Sequence, residues 1–327
     1  MDRQGTAAIA GTAMTFLAAI YGAAVGARNG LYERGLLRSR RLQGPVISVG
    51  NLSAGGSGKT PLVILLGELL QARAIGFDVL SRGYGRKTRG VRLVDPGGLP
   101  QEFGDEPLLI ARRLHAPVIV GEDRYNAGEL AESKFGTRIH LLDDGFQHRE
   151  LARDFDIVIV TPEDARDRLL PAGRLREPLR ALQRADAVVL TSGASTELFP
   201  LAGKTVWRLK RGIGAQNVPP RPLVFCAIAR PKNFLLQLRA AGIDPVAEAF
   251  FRDHHAYTEK DIHELRQLQQ RSEAGGFVTT EKDAVNLGCF LEALVPLSVI
   301  PVKMELADSA NAIDTMLRVI EERRPLP

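Results

Sequence analysis

Strand-like and helix-like patterns alternate along most of the chain. Short β-branched and aliphatic runs, typical of strands covered on both faces, are followed by segments with apolar residues at helical spacing. Helices are predicted from Asp105 to Leu114 and from Asp123 to Ser133, and strands at Phe77–Ser81, Pro117–Val120, Arg138–Asp143, Phe155–Val160 and Ala187–Thr191. This alternation predicts an α/β fold in which a parallel sheet carries helices on both faces.

The alternation is interrupted at 212–222, where glycine, asparagine and three prolines cluster. A chain of 327 residues exceeds a comfortable single core, so two globular domains are expected. After the break, strands are predicted at Leu223–Ile228, Val246–Phe251, Phe277–Thr280 and Leu297–Val302, and helices after Pro231, at Glu259–Gln270 and at Ala307–Glu322. The predicted domains are an N-terminal helix (1–30), a larger α/β domain (31–215) and a smaller one (216–327).

The first helix pattern, Thr6–Ala27, carries no charge and is followed by a cluster of arginines. Its apolar residues are Ile9, Met14, Phe16, Leu17, Ile20, Tyr21 and Val25, and the arginines are Arg28, Arg34, Arg38, Arg40 and Arg41. A signal peptide is disfavoured by the nearly neutral start. A spanning helix would gain little transfer energy from so much alanine and glycine. A helix packed on the protein stays an alternative. We predict an interfacial helix on the cytoplasmic side of a membrane.

The segment Pro45–Thr60 has the order strand, glycine-rich loop and helix that a P-loop requires. Its cradle comprises Ser53, Ala54, Gly55, Gly56, Ser57, Gly58, Lys59 and Thr60, with Ser53 where the usual pattern has glycine. Backbone N–H groups and the helix N-terminus would hold phosphates, Lys59 would reach the β- and γ-phosphates, and Thr60 would ligate Mg²⁺. The pattern predicts binding of a nucleoside triphosphate.

Net charge adds a preference for an anionic partner. Lysine and arginine number 43 against 38 acidic residues, giving +5. No nucleic-acid module is recognisable and aromatic residues are sparse, so we expect no nucleic acid partner. Cys226 and Cys289 lie far apart without metal-ligand spacing, which is typical of reduced cysteines in a cytosolic protein.

Asp143 and Asp144 follow a hydrophobic strand, where P-loop proteins place a carboxylate near the nucleotide's Mg²⁺. Gln147 and His148 add polar groups beside them. The alternative is an ordinary Asp-Asp-Gly turn after a strand.

Two more clusters carry possible chemistry. Asp105, in Gly-Asp-Glu-Pro, is either a helix-start residue or a general base. His254 and His255 beside Asp253 favour a hydrogen-bonding role over a metal site, because no third ligand appears at helical spacing. The loop 171–178, with two arginines and a glutamate, is a phosphate clamp or a solvated turn.

Eight motifs in order from Ser48 to Ala284 resemble the tetraacyldisaccharide 4′-kinase family of lipid A biosynthesis. They are S-V-G-N-L-S-A-G-G-S-G-K-T-P, S-R-G-Y-G-R, G-D-E-P, G-E-D-R, L-D-D-G-F-Q-H, L-R-E-P, F-x-D-H-H-x-Y and T-T-E-K-D-A. That family also has an uncharged N-terminal helix at the inner membrane and lacks the first P-loop glycine. The resemblance implies a P-loop NTPase-like fold and transfer of the ATP γ-phosphate to the 4′-hydroxyl of tetraacyldisaccharide 1-phosphate, giving lipid IVA.

The resemblance also implies residue roles. Asp105 would be the base, Asp144 and His254 would tune or relay its proton, and Lys59 would act on the phosphates. Thr60, Asp143 and Glu177 would form the Mg²⁺ environment, and Arg82, Tyr84, Arg124, Gln147, His148 and Arg176 would contact substrate or phosphate. Expected partners are ATP, Mg²⁺, an anionic glycolipid and the membrane surface, with no obligate protein partner. The rival class is a P-loop ATPase or GTPase that acts as a switch or assembly factor; no N-K-x-D base-recognition motif supports it.

Overall fold

The computed structural model describes residues 3–136 and 139–324, with side chains from residue 13 onward. Ile9 of the predicted apolar helix and Arg138 of a predicted strand therefore lie outside the described side chains. Within these residues the α-helices are α1 (Arg3–Glu33), α2 (Lys59–Gln71), α3 (Pro100–Phe103), α4 (Asp105–Leu114), α5 (Arg124–Phe135), α6 (Pro231–Ala240), α7 (Glu259–Ser272), α8 (Glu281–Leu287) and α9 (Ser309–Arg323).

The strands of the same residues are mostly short and buried. They are β1 (Val46–Asn51), β2 (Phe77–Ser81), β3 (Arg92–Leu93), β4 (Val118–Val120), β5 (Ile139–Asp143), β6 (Phe155–Val160), β7 (Ala187–Thr191), β8 (Thr205–Ile213), β9 (Pro222–Cys226), β10 (Ala247–Phe250), β11 (Gly276–Thr280), β12 (Leu297–Ile300) and β13 (Val302–Leu306).

The chain forms two compact units, each built from separate stretches of sequence. Unit 1 comprises 1–80, 124–210 and 306–327, and unit 2 comprises 81–123 and 211–305. Residues 81–123 thus belong to the unit that contains most of the C-terminal half, and the last helix belongs to the unit of the P-loop segment. The predicted division at residue 215 assumed that the chain passes from one domain to the other only once. That division stays a prediction.

Unit 1 contains a parallel sheet with strand order β8-β7-β6-β1-β5-β2. Strand β1 lies between β6 and β5, and all its residues are buried. Helix α2 packs against β1 and β5, and α9 packs against β6. The parallel arrangement confirms the sequence prediction, because strands covered on both faces need continuous apolar runs. The carboxyl ends of β1 and β5 are neighbours, and β1 runs directly into the glycine-rich loop.

A buried histidine joins three elements of unit 1. His140 on β5 places Nδ1 2.8 Å from Asp78 Oδ2 on β2 and Nε2 3.1 Å from Glu132 Oε1 on α5. The same Glu132 oxygen accepts a hydrogen bond from the Gly44 N–H at 2.7 Å. Burial alone would lower the pKa of His140, but its hydrogen bonds and its attraction to the two carboxylates raise that pKa above its ordinary value.

Unit 2 contains a parallel sheet with strand order β10-β9-β11-β12 and an antiparallel pair, β3 with β4. Helices α4 and α8 pack against each other. Gly104 follows α3 directly, precedes the first residue of α4 and has φ 92°. A Cβ there would lie 3.0 Å from the Tyr84 carbonyl oxygen, so this close approach of backbone requires glycine.

Most predicted elements agree with the structure to within two or three residues, and β2, β6, β7 and α4 have the predicted bounds. The prediction missed three strands, β3, β8 and β13. In strand β8, Trp207 and Leu209 are buried and Arg208 between them is exposed, which is a half-buried pattern, whereas the prediction relied on continuous apolar runs. Strand β3 has only two residues, too few for any periodic pattern.

Candidate active site

The glycine-rich loop of unit 1 is shaped to receive an anion. Gly55 and Gly58 have φ of 104° and 96°, a region that only glycine adopts without strain. Helix α2 begins at Lys59 without a side-chain cap, so its first N–H groups face the loop. The hydroxyls of Ser53 and Ser57 are buried and have no hydrogen-bond partner among the described residues. Such donors fit a phosphate ligand, which would satisfy them.

Lys59 lies between the loop and the end of the neighbouring strand. Its Nζ is 3.1 Å from Asn51 Oδ1 and 3.5 Å from Asp144 Oδ1. Asn51 is the last residue of β1, and its Nδ2 donates to the Ser53 carbonyl at 2.6 Å. Asn51 stands inside the first motif, but no local pattern in the sequence marks it as a site residue. It orients both the lysine and the start of the loop.

Asp144 pairs with two cations. Arg176 Nη1 lies 3.0 Å from Oδ2 and 3.2 Å from Oδ1 of Asp144, and Lys59 approaches the same carboxylate. Removal from water would raise the pKa of Asp144, but attraction to Lys59 and then Arg176 outweighs it and lowers that pKa. The residue has φ 51°, a left-handed turn that aspartate tolerates. Asp144 is therefore ionised at neutral pH.

Gln147 completes this cluster. Its Nε2 donates to the Asn51 carbonyl at 3.0 Å, and its Oε1 accepts from Arg176 at 3.3 Å. Four predicted site residues thus meet around the loop: Lys59, Asp144, Gln147 and Arg176. His148 lies half-buried next to them in sequence, and Arg124 is buried at the start of α5.

Glu177 is fully buried and already bound on both oxygens. Arg184 reaches them at 2.8 and 3.2 Å, and Asn29 of α1 donates to Oε2 at 2.7 Å. Burial alone would raise the pKa of Glu177, but the hydrogen bonds and charge of Arg184 lower it. A direct bond from Glu177 to Mg²⁺ would compete with these partners for the carboxylate oxygens. In this arrangement Glu177 connects α1 with the loop that carries Arg176.

Helix α1 is attached to the same loops at two other points. The Tyr21 hydroxyl donates to the Arg176 carbonyl at 3.0 Å, and Arg28 donates to the Gln147 carbonyl at 3.2 Å. Other side chains of the helix are exposed and apolar: Met14, Phe16, Leu17, Ile20 and Leu31. Among the described residues, no helix combines the length and the apolarity that crossing a bilayer needs.

Unit 2 contains a second cluster around Asp105. The Asp105 carboxylate is nearly buried, at 5% exposed, and its Oδ2 lies 2.8 Å from His254 Nδ1 and 3.3 Å from Asn286 Nδ2. Its Oδ1 accepts from the Glu106 N–H at 2.9 Å. Burial would raise the pKa of Asp105, but the hydrogen bond from His254 and the charge of Lys282 lower it below the ordinary value. The carboxylate is ionised and held at both oxygens.

The histidine pair binds carboxylates in this structure. His254 contacts Asp105, and His255 Nε2 lies 3.0 Å from Asp261 Oδ2. The described residues contain no group of three or more His, Cys, Asp or Glu side chains arranged for a metal ion. The Tyr84 ring is exposed and lies 5.2 Å from the His254 ring, and Arg82 is exposed on the same segment.

The donors near the P-loop fit Mg²⁺. This ion takes one or two carboxylates together with phosphate oxygens and water, so it does not need a cage of three protein ligands. Thr60 lies at the first turn of α2, and Asp143 ends β5, the strand beside β1. The contact between Lys59 and Asp144 shows that the loop and this strand end adjoin.

Comparisons with known proteins agree with the motif analysis. Residues 10–321 match the family model described as LpxK, tetraacyldisaccharide-1-P 4′-kinase. A tetraacyldisaccharide 4′-kinase of Koribacter versatilis is 51% identical over 323 residues, covering 95% of this chain and 100% of the relative. One from Chlorobaculum parvum is 41% identical and covers 81% of both chains.

A solved structure supports the fold. LpxK from Aquifex aeolicus, crystallised in complex with ATP, superposes with a TM-score of 0.78 at 33% identity and covers 95% of this chain and 99% of that one. This likeness confirms the predicted P-loop-like α/β fold. With a family model that spans nearly the whole sequence and relatives that align from end to end, the chain belongs to the tetraacyldisaccharide 4′-kinase family.

Proposed function

We propose that this protein transfers the γ-phosphate of ATP to the 4′-hydroxyl of tetraacyldisaccharide 1-phosphate and forms lipid IVA in lipid A biosynthesis. The observation that carries the proposal is the P-loop lysine held against the strand-end Asp144, in a chain that belongs to a kinase family. Phosphoryl transfer depends mainly on positioning and charge neutralisation, and both are properties of such a loop.

Residues 53–60 would hold the ATP phosphates. The glycine turns and the orphaned serine hydroxyls supply donors, and Lys59 supplies a positive charge for the β- and γ-phosphates. Before ATP binds, Asp144 neutralises part of that charge, so the phosphates compete with this carboxylate for Lys59. Mg²⁺, which would neutralise charge on the β- and γ-oxygens, fits the hydroxyl of Thr60 and the carboxylate of Asp143, with Glu177 as a further candidate.

Asp105 would act as the general base. It would take the proton of the 4′-hydroxyl while that oxygen forms a bond to the γ-phosphorus, the bond from the γ-phosphorus to the β–γ bridging oxygen breaks, and ADP leaves. General-base catalysis contributes about 10²–10⁴-fold in rate. Its ionised state and its fixed orientation support this role.

The acceptor is an anionic glycolipid, and we propose that a set of cationic and polar side chains contacts it. They are Arg82, Tyr84, Arg124, Gln147, His148 and Arg176. We propose that α1 brings the protein to the cytoplasmic face of the bacterial inner membrane, where the acyl chains of the substrate stay. The apolar side chains that α1 exposes support this placement. We expect neither nucleic acid nor an obligate protein partner.

The test is transfer of labelled γ-phosphate from ATP to tetraacyldisaccharide 1-phosphate in detergent with Mg²⁺. Wild type should label the lipid and release one ADP per phosphate transferred. Asp105→Asn should lower kcat by about 10²–10⁴-fold with little change in ATP affinity. Asp244→Asn, which changes a largely exposed carboxylate of unit 2 in the same way, should keep wild-type kinetics.

Two results would contradict the proposal. Hydrolysis of ATP without any labelled lipid would favour the rival function, a P-loop ATPase switch that acts on a protein partner. Loss of ATP affinity without loss of kcat in Asp105→Asn would remove the base assignment and leave the kinase activity to another group.

A further inference from the structure

Lys282 stands in the last of the eight family-like motifs, T-T-E-K-D-A. It lies in the first turn of α8, directly after β11. Thr280 caps the helix by accepting from the Asp283 N–H at 3.2 Å. Asp283 in turn accepts from the Ala227 N–H at 2.7 Å and from the Tyr257 hydroxyl at 2.9 Å. These buried bonds fix the turn and therefore the origin of the lysine side chain.

The Lys282 ammonium lies among the groups of the Asp105 cluster. Its Nζ is 3.1 Å from Asp253 Oδ1, 3.3 Å from His254 Nε2, 3.6 Å from Asp105 Oδ2 and 3.8 Å from Glu106 Oε1. The side chain is only 16% exposed. All these groups belong to unit 2. Lys282 thus contacts the proposed base Asp105, its histidine partner and two further carboxylates.

These contacts decide which nitrogen of His254 carries hydrogen. An ammonium group can only donate, so Nε2, which faces Lys282, must accept. An ionised carboxylate can only accept, so Nδ1, which faces Asp105, must donate. Both conditions hold in one species, the neutral imidazole with hydrogen on Nδ1.

We propose that Lys282 is a positioning residue for phosphoryl transfer, which holds His254 as the neutral Nδ1–H tautomer and so makes it a hydrogen-bond donor to Asp105. This inference rests on the proposed function, because it concerns the base of that reaction. Since Nδ1 already carries hydrogen, His254 orients the carboxylate and does not receive the acceptor's proton at that nitrogen.

The electrostatics of the cluster agree with this role. The hydrogen bond to Asp105 is the largest influence on His254 and, with the charges of Asp105 and Asp253, raises its pKa above the ordinary value. Burial and the charge of Lys282 limit that rise. Asp253, whose Oδ2 is 3.8 Å from Nε2, favours the protonated ring, and the exposed Tyr84 ring adds no charge. Without Lys282, the carboxylates of Asp105 and Asp253 would face His254 uncompensated, and the ring would become imidazolium at a higher pH.

The experiment compares Lys282→Met with Lys282→Arg and the wild type. Long-range ¹H–¹⁵N spectra of the full chain at mildly alkaline pH should show a protonated Nδ1 and a bare Nε2 for His254 in the wild type. In Lys282→Met the titration of His254 should move to higher pH, and the Nδ1–H preference should weaken. Lys282→Arg, which keeps a donor cation, should restore both signals.

Kinetics supply the second measurement. Lys282→Met should lower kcat at least about tenfold, as part of the general-base contribution, and move the acidic limb of the rate profile to higher pH. KM for ATP should not change. Lys282→Arg should recover part of kcat. Lys260→Met, at a lysine that is 84% exposed on α7, serves as the matched control with wild-type behaviour.

The outcomes separate this inference from the proposed function. A wild-type His254 with hydrogen on Nε2 would overturn the inference, as would an unchanged tautomer and pH profile in a folded Lys282→Met protein. Folding is checked by ATP binding and by the remaining resonances. Absence of lipid labelling by the wild type would instead refute the proposed function, whatever the histidine spectrum shows.

Discussion

Replacing Gly50 with alanine should disturb both the stability of unit 1 and its phosphate site. Gly50 lies near the end of β1, just before the P-loop. A Cβ at this position would lie 2.5 Å from Phe146 Cβ and 2.9 Å from the Phe146 backbone nitrogen. Carbon atoms in contact prefer about 3.5–4.0 Å, so the overlap is roughly 1 Å.

The neighbour has little freedom to move away. Phe146 is fully buried in a core with Leu52, Val158 and Leu182, and its ring lies 4.4 Å beneath the Arg184 guanidinium. Overpacking of this kind costs about 1–3 kcal/mol. With each kcal/mol worth about 2–4 °C in proteins of comparable size, Tm should fall by roughly 2–12 °C.

The same displacement should weaken ATP binding. Phe146 follows Asp144 by two residues, so a shift of its backbone moves the carboxylate that contacts Lys59. A loss of about 1.4 kcal/mol in binding would lower the affinity for ATP about tenfold. Thermal unfolding and ATP titration measure the two effects in the same protein preparation.

Gly76→Ala is the matched control. Gly76 precedes β2 in the same unit, and a Cβ there would have no heavy atom within 4 Å. This variant should be as stable as the wild type or slightly more stable, because alanine restricts the unfolded chain. If Gly50→Ala had the Tm and the ATP affinity of Gly76→Ala, the steric reasoning would be refuted.

The remaining predictions concern the lysine, the buried histidine and the first helix. Lys59→Ala should abolish transfer, because it removes the cation of the phosphate cradle, and wild-type turnover would exclude Lys59 from the mechanism. The pKa of His140 is raised in the folded protein, so its stabilising contribution is complete below about pH 6.5 and is lost as pH rises through the folded pKa. The free energy of unfolding measured with denaturant should therefore decline as pH rises above about 6.5, and His140→Gln should remove this decline; an identical slope in both proteins would contradict the assignment. Phe16→Asp combined with Ile20→Asp should reduce co-sedimentation with anionic vesicles. Leu236→Asp, at a leucine that is 62% exposed in unit 2, should bind vesicles like the wild type. Equal binding by the wild type, the double variant and Leu236→Asp would place the membrane contact elsewhere.

Helix α1 contacts the candidate phosphate site and, in our proposal, also the membrane. Tyr21, Arg28 and Asn29 hydrogen-bond to the loops that carry Gln147, Arg176 and Glu177. The bond from Asn29 to the buried Glu177 is charge-assisted, a class worth about 1.5–3 kcal/mol. The alternative in which an alanine-rich helix packs on the protein is therefore partly realised. Polar side chains of the helix contact the protein, whereas several of its apolar side chains are exposed.

Local signals in the sequence were sufficient for much of this protein. Glycines followed by lysine and threonine between a strand and a helix specify a P-loop, because few other local sequences adopt that backbone. Continuous apolar runs specified β2, β6 and β7 to the residue, since a strand buried on both faces needs apolar side chains throughout. The eight motifs in order identified the family, which the comparisons confirmed.

Contacts between distant segments were decided by the tertiary structure alone. No spacing in the sequence relates Asp105 to His254, Lys282 and Asn286, because these residues come from three stretches that meet only when unit 2 folds. The same holds for Asn29 with Glu177 and for Asp78 with His140. Local sequence determined which groups the protein has and the backbone that presents them. Long-range packing decided which charges neighbour one another, and those neighbours set protonation states, because electrostatic interactions depend on distances in space.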